Sequence, residues 1–172
     1  FRTNQYHPYK FCSSFFLYFR KMKILMVCLG NICRSPLADG LLRDKINTLK
    51  LNVIVDSAGT SGHHIGESPD NRMTAKALEY KHDISNLKAR QFSAIDFENF
   101  DLIYAMDKSN YQNIIALAQS SSDIDKVKMI LDESHPGEKM EVPDPYYGGE
   151  QGFENVYRLL DKATDCIIKK LK

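Results

Sequence analysis

The sequence predicts an α/β fold in which helices cover a doubly wound, four-stranded parallel sheet. Four short apolar runs rich in β-branched residues alternate with amphipathic helical patterns, as in parallel sheets with crossover helices. The predicted strands are 23–27, 51–56, 101–106 and 127–131. A chain of 172 residues, 43% hydrophobic and 26% charged, suits one globular domain. Ligands of such sheets bind beyond the carboxyl ends of the strands, so we expect the functional site there.

Amphipathic segments between the strands predict the helices. The first helix follows Ser35-Pro36 and has helical spacing of apolar residues to about residue 49. The second is expected to begin with Ser68 as its N-cap and to bury a face made of Met73, Ala77 and Tyr80. Three more are predicted: a short helix near 93–96, one from the turn at 107–110 to about 118 that the serine tract 120–123 ends, and a last helix over 152–170.

Residues 1–21 are predicted to be an extension outside the fold, and residues 22–172 to form a single domain. The extension is rich in Phe and Tyr without a clean period, and Met22 is a plausible natural start because the first strand follows it directly. A secretory signal would have a small-residue cleavage site where this chain has Arg20-Lys21. An amphipathic membrane anchor is the alternative.

Charge and cysteine content argue against several classes of protein. The formal net charge is +1 and the cationic residues form no long block, which disfavours general binding of nucleic acid or of a membrane surface. Four cysteines are too few for the disulfide framework of a small secreted domain, so we expect a reducing compartment and a cytoplasmic location. No apolar stretch approaches the roughly 20 residues that span a bilayer.

The loop after the first strand, Cys28-Leu29-Gly30-Asn31-Ile32-Cys33-Arg34, has the residues of a phosphate site with a nucleophile at its base. It joins a predicted strand to a predicted helix, where successive backbone N–H groups and the helix N-terminus attract anions. Arg34 can grip two phosphate oxygens with its planar guanidinium. The same positive field favours the thiolate of Cys28, so we expect its sulfur to attack a phosphorus atom held by the loop.

A second motif, Asp144-Pro145-Tyr146-Tyr147, supplies a candidate proton donor. Pro143 and Pro145 restrict the backbone around Asp144, and the two tyrosines could shield its carboxyl group from water. Asp144 could then protonate a leaving phenolate and later accept a proton from the attacking water. The other interpretation is an exposed Asp in a Pro/Gly turn.

Together these motifs resemble the low-molecular-weight protein tyrosine phosphatases. The resemblance spans about residues 23–172 and includes the segments 56–61, 66–70, 88–91 and 106–110. It implies that Cys28 is the nucleophile, that Arg34 binds phosphate and stabilises the transition state, and that Asp144 is the general acid and base, with no metal ion or cofactor. The phosphate would be cradled by the backbone of Leu29, Gly30, Asn31, Ile32, Cys33 and Arg34.

The resemblance also assigns supporting and cleft residues. The family supports its loop with a hydrogen-bonded network whose positions here are Asn31, Ser35, Ser57 and His82. Three of them also have a local interpretation: Asn31 as a turn residue, Ser35 as an N-cap and His82 as a residue at a helix end. The cleft is expected to include Tyr146, Tyr147 and His63, the last where many relatives carry Trp. His63-His64 is a poor metal pair because no cysteine or carboxylate cluster completes a site.

Two features of the sequence discriminate between substrates of related families: the residue at position 32 and the distribution of cysteines. Ile32 favours phosphotyrosine, because protein arginine phosphatases resemble the same loop but carry threonine at this position. Arsenate reductases also resemble it, but they pass a disulfide to further cysteines in a mobile segment, and residues 35–165 contain none.

Cys33 has two interpretations. The resemblance implies a reversible disulfide with oxidised Cys28, whereas thiol chemistry alone equally allows a buried cysteine without redox use. The expected partners are phosphotyrosine-containing proteins, with a cognate tyrosine kinase as a further candidate. The expected oligomeric state is a monomer or a weak dimer.

Overall fold

The computed structural model describes residues 20–172, apart from the side chain of Tyr147. In this part of the chain four parallel strands form one sheet in the order β2-β1-β3-β4. Their bounds are β1 Met22–Cys28, β2 Val53–Gly59, β3 Leu102–Ala105 and β4 Val127–Met129. The predicted fold class is therefore confirmed.

Six α-helices of the described residues flank this sheet. They are α1 Arg34–Leu49, α2 Asn71–Glu79, α3 Asp96–Asn99, α4 Lys108–Ile115, α5 Ser121–Asp125 and α6 Gly149–Leu171. Two short 3₁₀ helices, Ile130–Glu133 and Pro145–Tyr147, complete the description.

Strand β1 is the centre of the molecule, and its side chains alternate between two hydrophobic cores. Ile24, Met26 and Cys28 point into a core shared with α1, α2 and α6. Leu25 and Val27 point into a second core on the other face, shared with α3 and α4. Since successive side chains of a strand face opposite sides of the sheet, an almost unbroken apolar run is what a strand buried on both faces requires.

The sheet order places a crevice at the ends of β1 and β3. The chain leaves β1 into α1 on one face of the sheet and leaves β3 into α4 on the other. Neighbouring parallel strands whose connections diverge in this way open a cleft at their carboxyl ends, which is where doubly wound sheets bind ligands. The Cys28 loop therefore lies at the topological switch point.

The predicted N-cap of the second helix was wrong by two residues. The N-cap is Asp70, whose side chain accepts a hydrogen bond from the Arg72 N–H, and not Ser68. Tyr80 follows the last residue of α2 and is 37% exposed instead of buried; one face of its ring stacks on Tyr157, with ring centroids 3.9 Å apart.

The serine tract also differs from its prediction, because it begins a helix instead of only ending one. Helix α4 stops at Ile115, and Ser120 then caps α5 in a capping box with Asp123. Strand β2 starts two residues later than predicted because Met22, the first residue of β1, pairs with Val53, and the register then continues to the pair Cys28 and Gly59.

The predicted N-terminal extension falls outside the described residues except for Arg20 and Lys21, so the domain boundary stays a prediction. Arg20 forms an exposed ion pair of 2.8 Å with Asp101. Among residues 20–172, no helix has both the length and the apolar character needed to cross a bilayer.

Candidate active site

The loop between β1 and α1 holds its peptide groups in a fixed orientation because its carbonyl oxygens are already bonded to neighbouring segments. The acceptors and donors are Cys28 O with Thr60 N (2.9 Å), Leu29 O with Ser61 N (2.9 Å), and Ile32 O with Asp70 N (2.8 Å). Asn31 adopts a left-handed conformation with φ 56°. Loops with such a residue turn successive N–H groups toward one point and bind anions there.

The Cys28 sulfur lies at the base of this loop and is almost fully buried. It accepts a hydrogen bond from the Asn31 N–H at 3.3 Å and lies 3.1 Å from the Ser35 hydroxyl. The Ser35 hydroxyl oxygen also accepts from the Asn31 side-chain amide at 2.9 Å and lies 3.2 Å from Ala58 O. Because this hydroxyl has one proton, it can donate to Ala58 O beside a thiol and turn to the sulfur beside a thiolate.

Gly59, the last residue of β2, and Arg90 both contact the loop and support it. A Cβ atom on Gly59 would lie 2.7 Å from Leu29 O, so only glycine permits this approach of the two backbones. The Arg90 N–H donates to the Asn31 side-chain oxygen at 3.0 Å, and Arg90 O accepts from Gly59 N at 2.9 Å. Arg90 lies in the segment 88–91 that resembles the family, but its supporting contact with Asn31 was not predicted.

Two of the four predicted supporting residues, Ser57 and His82, contact carboxylates of α1 instead of the loop. Ser57 is buried and its hydroxyl bonds to Asp39, a carboxylate of α1 that is fully buried. Burial raises the pKa of Asp39 to about 7, with the nearby charge of Asp56 adding to the shift, while the partner Arg43 opposes it.

His82 does not reach the loop, contrary to the expectation from the resemblance. Its Nδ1 lies 2.5 Å from the carboxylate of Asp44 on α1. Asp44 is ten positions after Arg34 in the sequence. At a rise of about 1.5 Å per residue this is roughly 15 Å along the helix axis. The histidine therefore ties the chain after α2 to the far part of α1.

Arg34 begins α1 and is 4% exposed, with its guanidinium held by three oxygens. Nη1 donates to Asp107 at 2.6 Å and to Val142 O at 3.2 Å, and Nη2 lies 3.5 Å from the Asp144 carboxylate. Burial alone would lower the pKa of Arg34, but the Cys28 sulfur and Asp107 outweigh it and raise that pKa. The guanidinium thus stays charged in a fixed orientation.

Asp107 is a site residue that sequence analysis did not name as one. It follows β3 directly and caps α4 by accepting a hydrogen bond from Asn110 N at 2.7 Å. Its other carboxylate oxygen binds Arg34. The available signal was its position in the quoted segment 106–110, after a strand whose end meets the Cys28 loop.

Asp144 opens the 3₁₀ helix Pro145–Tyr147 and faces Arg34. One carboxylate oxygen accepts from Tyr146 N at 3.0 Å, and the other is the oxygen near Arg34. The side chain is 45% exposed, so the expected shielding by the tyrosines is incomplete in this arrangement. Tyr146 itself is 61% exposed and contributes its ring to the rim of the crevice.

Two exposed apolar side chains and two histidines lie near the loop. The predicted cleft residue was His63, but it is His64 that contacts the loop. Leu29 and Ile65 are 49% and 61% exposed. His64 covers the loop: its ring lies 3.0 Å from the point where a Cβ on Gly30 would stand, and Nδ1 is 2.8 Å from a Glu67 carboxylate oxygen. His63 is exposed beside it.

Cys33 is buried directly before α1. Burial raises the pKa of its thiol to about 12, and the negative charge of Asp70 adds to the effect. This sulfur therefore remains protonated near neutral pH, in contrast to a group poised to react as a thiolate.

Comparisons with known proteins agree with this geometry. A family model described as low molecular weight phosphotyrosine protein phosphatase matches residues 23–172. A phosphatase of this description from Schizosaccharomyces pombe is 40% identical over 155 residues, which cover 88% of this chain and 98% of the relative.

Two solved structures extend the comparison. A protein tyrosine phosphatase from Entamoeba histolytica superposes with a TM-score of 0.81 at 39% identity, covering 87% of this chain and 96% of its own. A Drosophila arginine phosphatase superposes with a TM-score of 0.81 at 30% identity, covering 88% and 98%. The chain therefore belongs to the low molecular weight phosphotyrosine protein phosphatase family.

Proposed function

We propose that this protein hydrolyses phosphotyrosine in proteins through a cysteinyl-phosphate intermediate, without a metal ion or cofactor. One observation carries the proposal: the buried guanidinium of Arg34 stands between the Cys28 loop and the Asp144 carboxylate, 3.5 Å from the latter. A nucleophile, a phosphate-binding cation and a proton donor therefore share one crevice, which is the set that aryl phosphate hydrolysis needs.

In the first step the Cys28 thiolate attacks phosphorus and the bond from phosphorus to the phenolic oxygen breaks. Protonated Asp144 gives its proton to the departing phenolate, so tyrosine leaves as the neutral phenol. Charge on the three equatorial oxygens is stabilised by the N–H groups of residues 29–34 and by the Arg34 guanidinium.

In the second step a water molecule attacks the cysteinyl phosphate and the sulfur–phosphorus bond breaks. Asp144, now ionised, accepts the proton of that water, and inorganic phosphate is released. The Ser35 hydroxyl, 3.1 Å from the sulfur, donates to the thiolate as it departs. The cycle returns Cys28 as thiolate and Asp144 as acid.

The apolar rim supports an aromatic substrate. Leu29, Ile65 and Tyr146 are each about half exposed or more; Leu29 follows Cys28 in the phosphate loop, and Tyr146 lies two residues after Asp144. A flat ring can contact them while its phosphate reaches Cys28, whereas a shorter phosphoserine side chain reaches less far.

Phosphoarginine is the second candidate substrate, because of the likeness to the Drosophila arginine phosphatase. Ile32 favours tyrosine over arginine here. It is half-buried and packs against the core shared by α1 and α6, which places an apolar side chain where the arginine phosphatases carry threonine. An arsenate reductase is less well supported, because residues 35–165 contain no cysteine to carry a disulfide onward.

The proposed function is tested with tyrosine-, arginine- and serine-phosphorylated peptides of one sequence. We expect the phosphotyrosine peptide to be hydrolysed fastest and in the presence of a chelator. Cys28→Ser should abolish turnover but retain phosphate binding. Preference for phosphoarginine, or undiminished turnover by Cys28→Ser, would contradict the proposal.

The role of Asp144 is tested with a series of aryl phosphates of different leaving-group pKa. Asp144→Asn should lower kcat/KM most for the poorest leaving groups, by up to about 100-fold, since general acid catalysis contributes this much or more. Equal slowing across the series would contradict an acid role.

Further proposals concern the setting of the enzyme. We expect phosphotyrosine proteins and a cognate tyrosine kinase as partners, a monomer or weak dimer, and a cytoplasmic location in which free thiols persist. Cys33 could resolve an oxidised Cys28 as a disulfide, and its high pKa means that this requires loss of the thiol proton during the reaction.

A further inference from the structure

Arg72, on the first turn of α2, contacts Asp70 beside the phosphate loop and Tyr146 beside Asp144, and takes no part in the chemistry described above. Its guanidinium makes a two-pronged contact with Asp70, with Nη2 2.7 Å and Nε 3.1 Å from the two carboxylate oxygens. Asp70 is in turn bonded to the phosphate loop, since its N–H donates to Ile32 O at 2.8 Å. The pKa of Asp70 is lowered chiefly by its hydrogen bond with Arg72.

The flat face of the same guanidinium meets two aromatic rings. Its central carbon lies 5.2 Å from the Tyr146 ring centroid and 4.8 Å from that of Phe153. Phe153 is buried in α6 and is therefore a fixed support. Tyr146 is only two residues from Asp144 and its N–H is bonded to the Asp144 carboxylate.

These contacts form one continuous connection from the phosphate loop to the acid-bearing segment 144–147. It runs through Asp70, then Arg72, then Tyr146, and it ends on Asp144. A planar guanidinium can make an in-plane bidentate contact and a face-on aromatic contact at the same time, which an ammonium group cannot.

We propose that Arg72 is a positioning residue that holds the segment carrying Asp144 and Tyr146 against the phosphate loop, and so sets both proton donation and selection of aryl substrates. This inference rests on the proposed function. It differs from a direct role in phosphate binding, because the groups that hold phosphate in that function are Arg34 and the loop backbone.

The first test compares Arg72→Gln with the wild type on phenyl phosphate and on p-nitrophenyl phosphate. Because a loosened Asp144 matters more for the poorer leaving group, we expect kcat/KM to fall about tenfold for phenyl phosphate and about threefold for p-nitrophenyl phosphate. The inhibition constant of inorganic phosphate should stay within about twofold, since the cradle is untouched.

A matched control is Arg158→Gln. Arg158 is another exposed arginine paired with an acid, at 2.7 Å from Glu154 in the same helix α6, four residues before it. Its substitution should leave all three quantities within about twofold. Equal losses on both substrates together with weaker phosphate inhibition in Arg72→Gln would mean that the phosphate loop itself was disturbed, and would overturn the proposal.

Arg72→Lys separates positioning from charge. It keeps the positive charge but loses the planar fork, so we expect it to behave like Arg72→Gln. Full activity in Arg72→Lys would show that only the electrostatic field of the side chain matters, which contradicts the proposal.

Asp70→Ser covers the case in which Arg72→Gln fails to fold. Serine can still cap α2, whereas the bidentate grip on Arg72 is lost. It should reproduce the unequal loss on the two substrates, and an equal loss would contradict the proposal.

A readout independent of turnover separates this inference from the proposed function. Hydrogen exchange of a peptide covering residues 142–149 should be about threefold faster in Arg72→Gln and unchanged in Arg158→Gln. Unchanged exchange in Arg72→Gln would overturn the positioning role even in an active enzyme. A wild type without aryl phosphatase activity would instead refute the proposed function.

Discussion

Asp107→Asn isolates the charge that holds Arg34 in place. Asparagine is a good N-cap, so α4 keeps its capping acceptor for Asn110 N, while the negative charge 2.6 Å from the guanidinium is removed. The side chains of Arg34 and Asp107 are only 5% and 18% exposed, so solvent screens this pair weakly.

The magnitude follows from this geometry. At an effective dielectric constant of about 20, two charge centres about 4 Å apart gain about 4 kcal/mol before desolvation is subtracted. Hydrogen bonds to charged groups retain about 1.5–3 kcal/mol of net stabilisation. If alignment of Arg34 depends on this contact, kcat/KM for an aryl phosphate should fall about 10- to 100-fold.

The assay measures kcat/KM with p-nitrophenyl phosphate and, in parallel, the thermal midpoint. A loss of about 1–3 kcal/mol lowers the midpoint by roughly 3–9 °C for a domain of this size. Asp123→Asn is the control, because Asp123 also takes part in a helix cap but is bonded to Ser120 and Gln119 instead of to Arg34. Unchanged kcat/KM in Asp107→Asn would refute the reasoning, since Val142 O and Asp144 would then align Arg34 unaided.

Three further outcomes are expected. Asp39 has a pKa of about 7 in the folded protein against 3.8 in the unfolded chain, so its contribution to stability is present below about pH 4 and is lost as the pH rises through 7. Asp39→Asn should therefore flatten the pH dependence of urea unfolding between pH 4 and 7, by up to about 4 kcal/mol, and an unchanged slope would contradict the shift. Gly59→Ala should lower kcat/KM at least about tenfold, because its Cβ would stand 2.7 Å from the loop. Gly137→Ala meets no atom within 4 Å but is strained by a φ of 81°, so it should cost about 1 kcal/mol of stability and leave kcat/KM unchanged. His82→Gln should keep kcat/KM within about twofold while costing about 1 kcal/mol in unfolding measurements, and a large loss of activity would return His82 to the support of the loop.

The features that sequence analysis found are those encoded within a short segment. The Cys28 loop has its nucleophile, its cation Arg34 and its flanking strand and helix in neighbouring positions of the sequence. Its place at the switch point could therefore be predicted. The same holds for β1, whose apolar run matches burial on both faces. Local pattern and tertiary structure agree at these places.

The features that it missed depend on partners far away in the chain. Arg34 and Asp107 are 73 positions apart, and no local pattern links them. Ser68 and Asp70 are both good N-caps, and the choice of Asp70 goes with the hydrogen bond of its N–H to Ile32 O across the crevice. His82 was expected at the loop because the family resemblance places a histidine after the second helix there, whereas its Nδ1 contacts Asp44 on α1.

The outward hydrogen bonds of the loop carbonyls have a consequence for redesign. Because the backbone carbonyls of Cys28, Leu29 and Ile32 are bonded to two other segments, the one after β2 and the one before α2, the anion site is formed before any substrate arrives, and little entropy is spent on ordering it. The exposed side chains of Leu29, Ile65 and Tyr146 carry none of those bonds. New leaving groups can therefore be accommodated by exchanging Leu29 and Ile65 one at a time, with the reactive sulfur and its cradle unchanged, whereas Tyr146 is kept for its contact with Arg72.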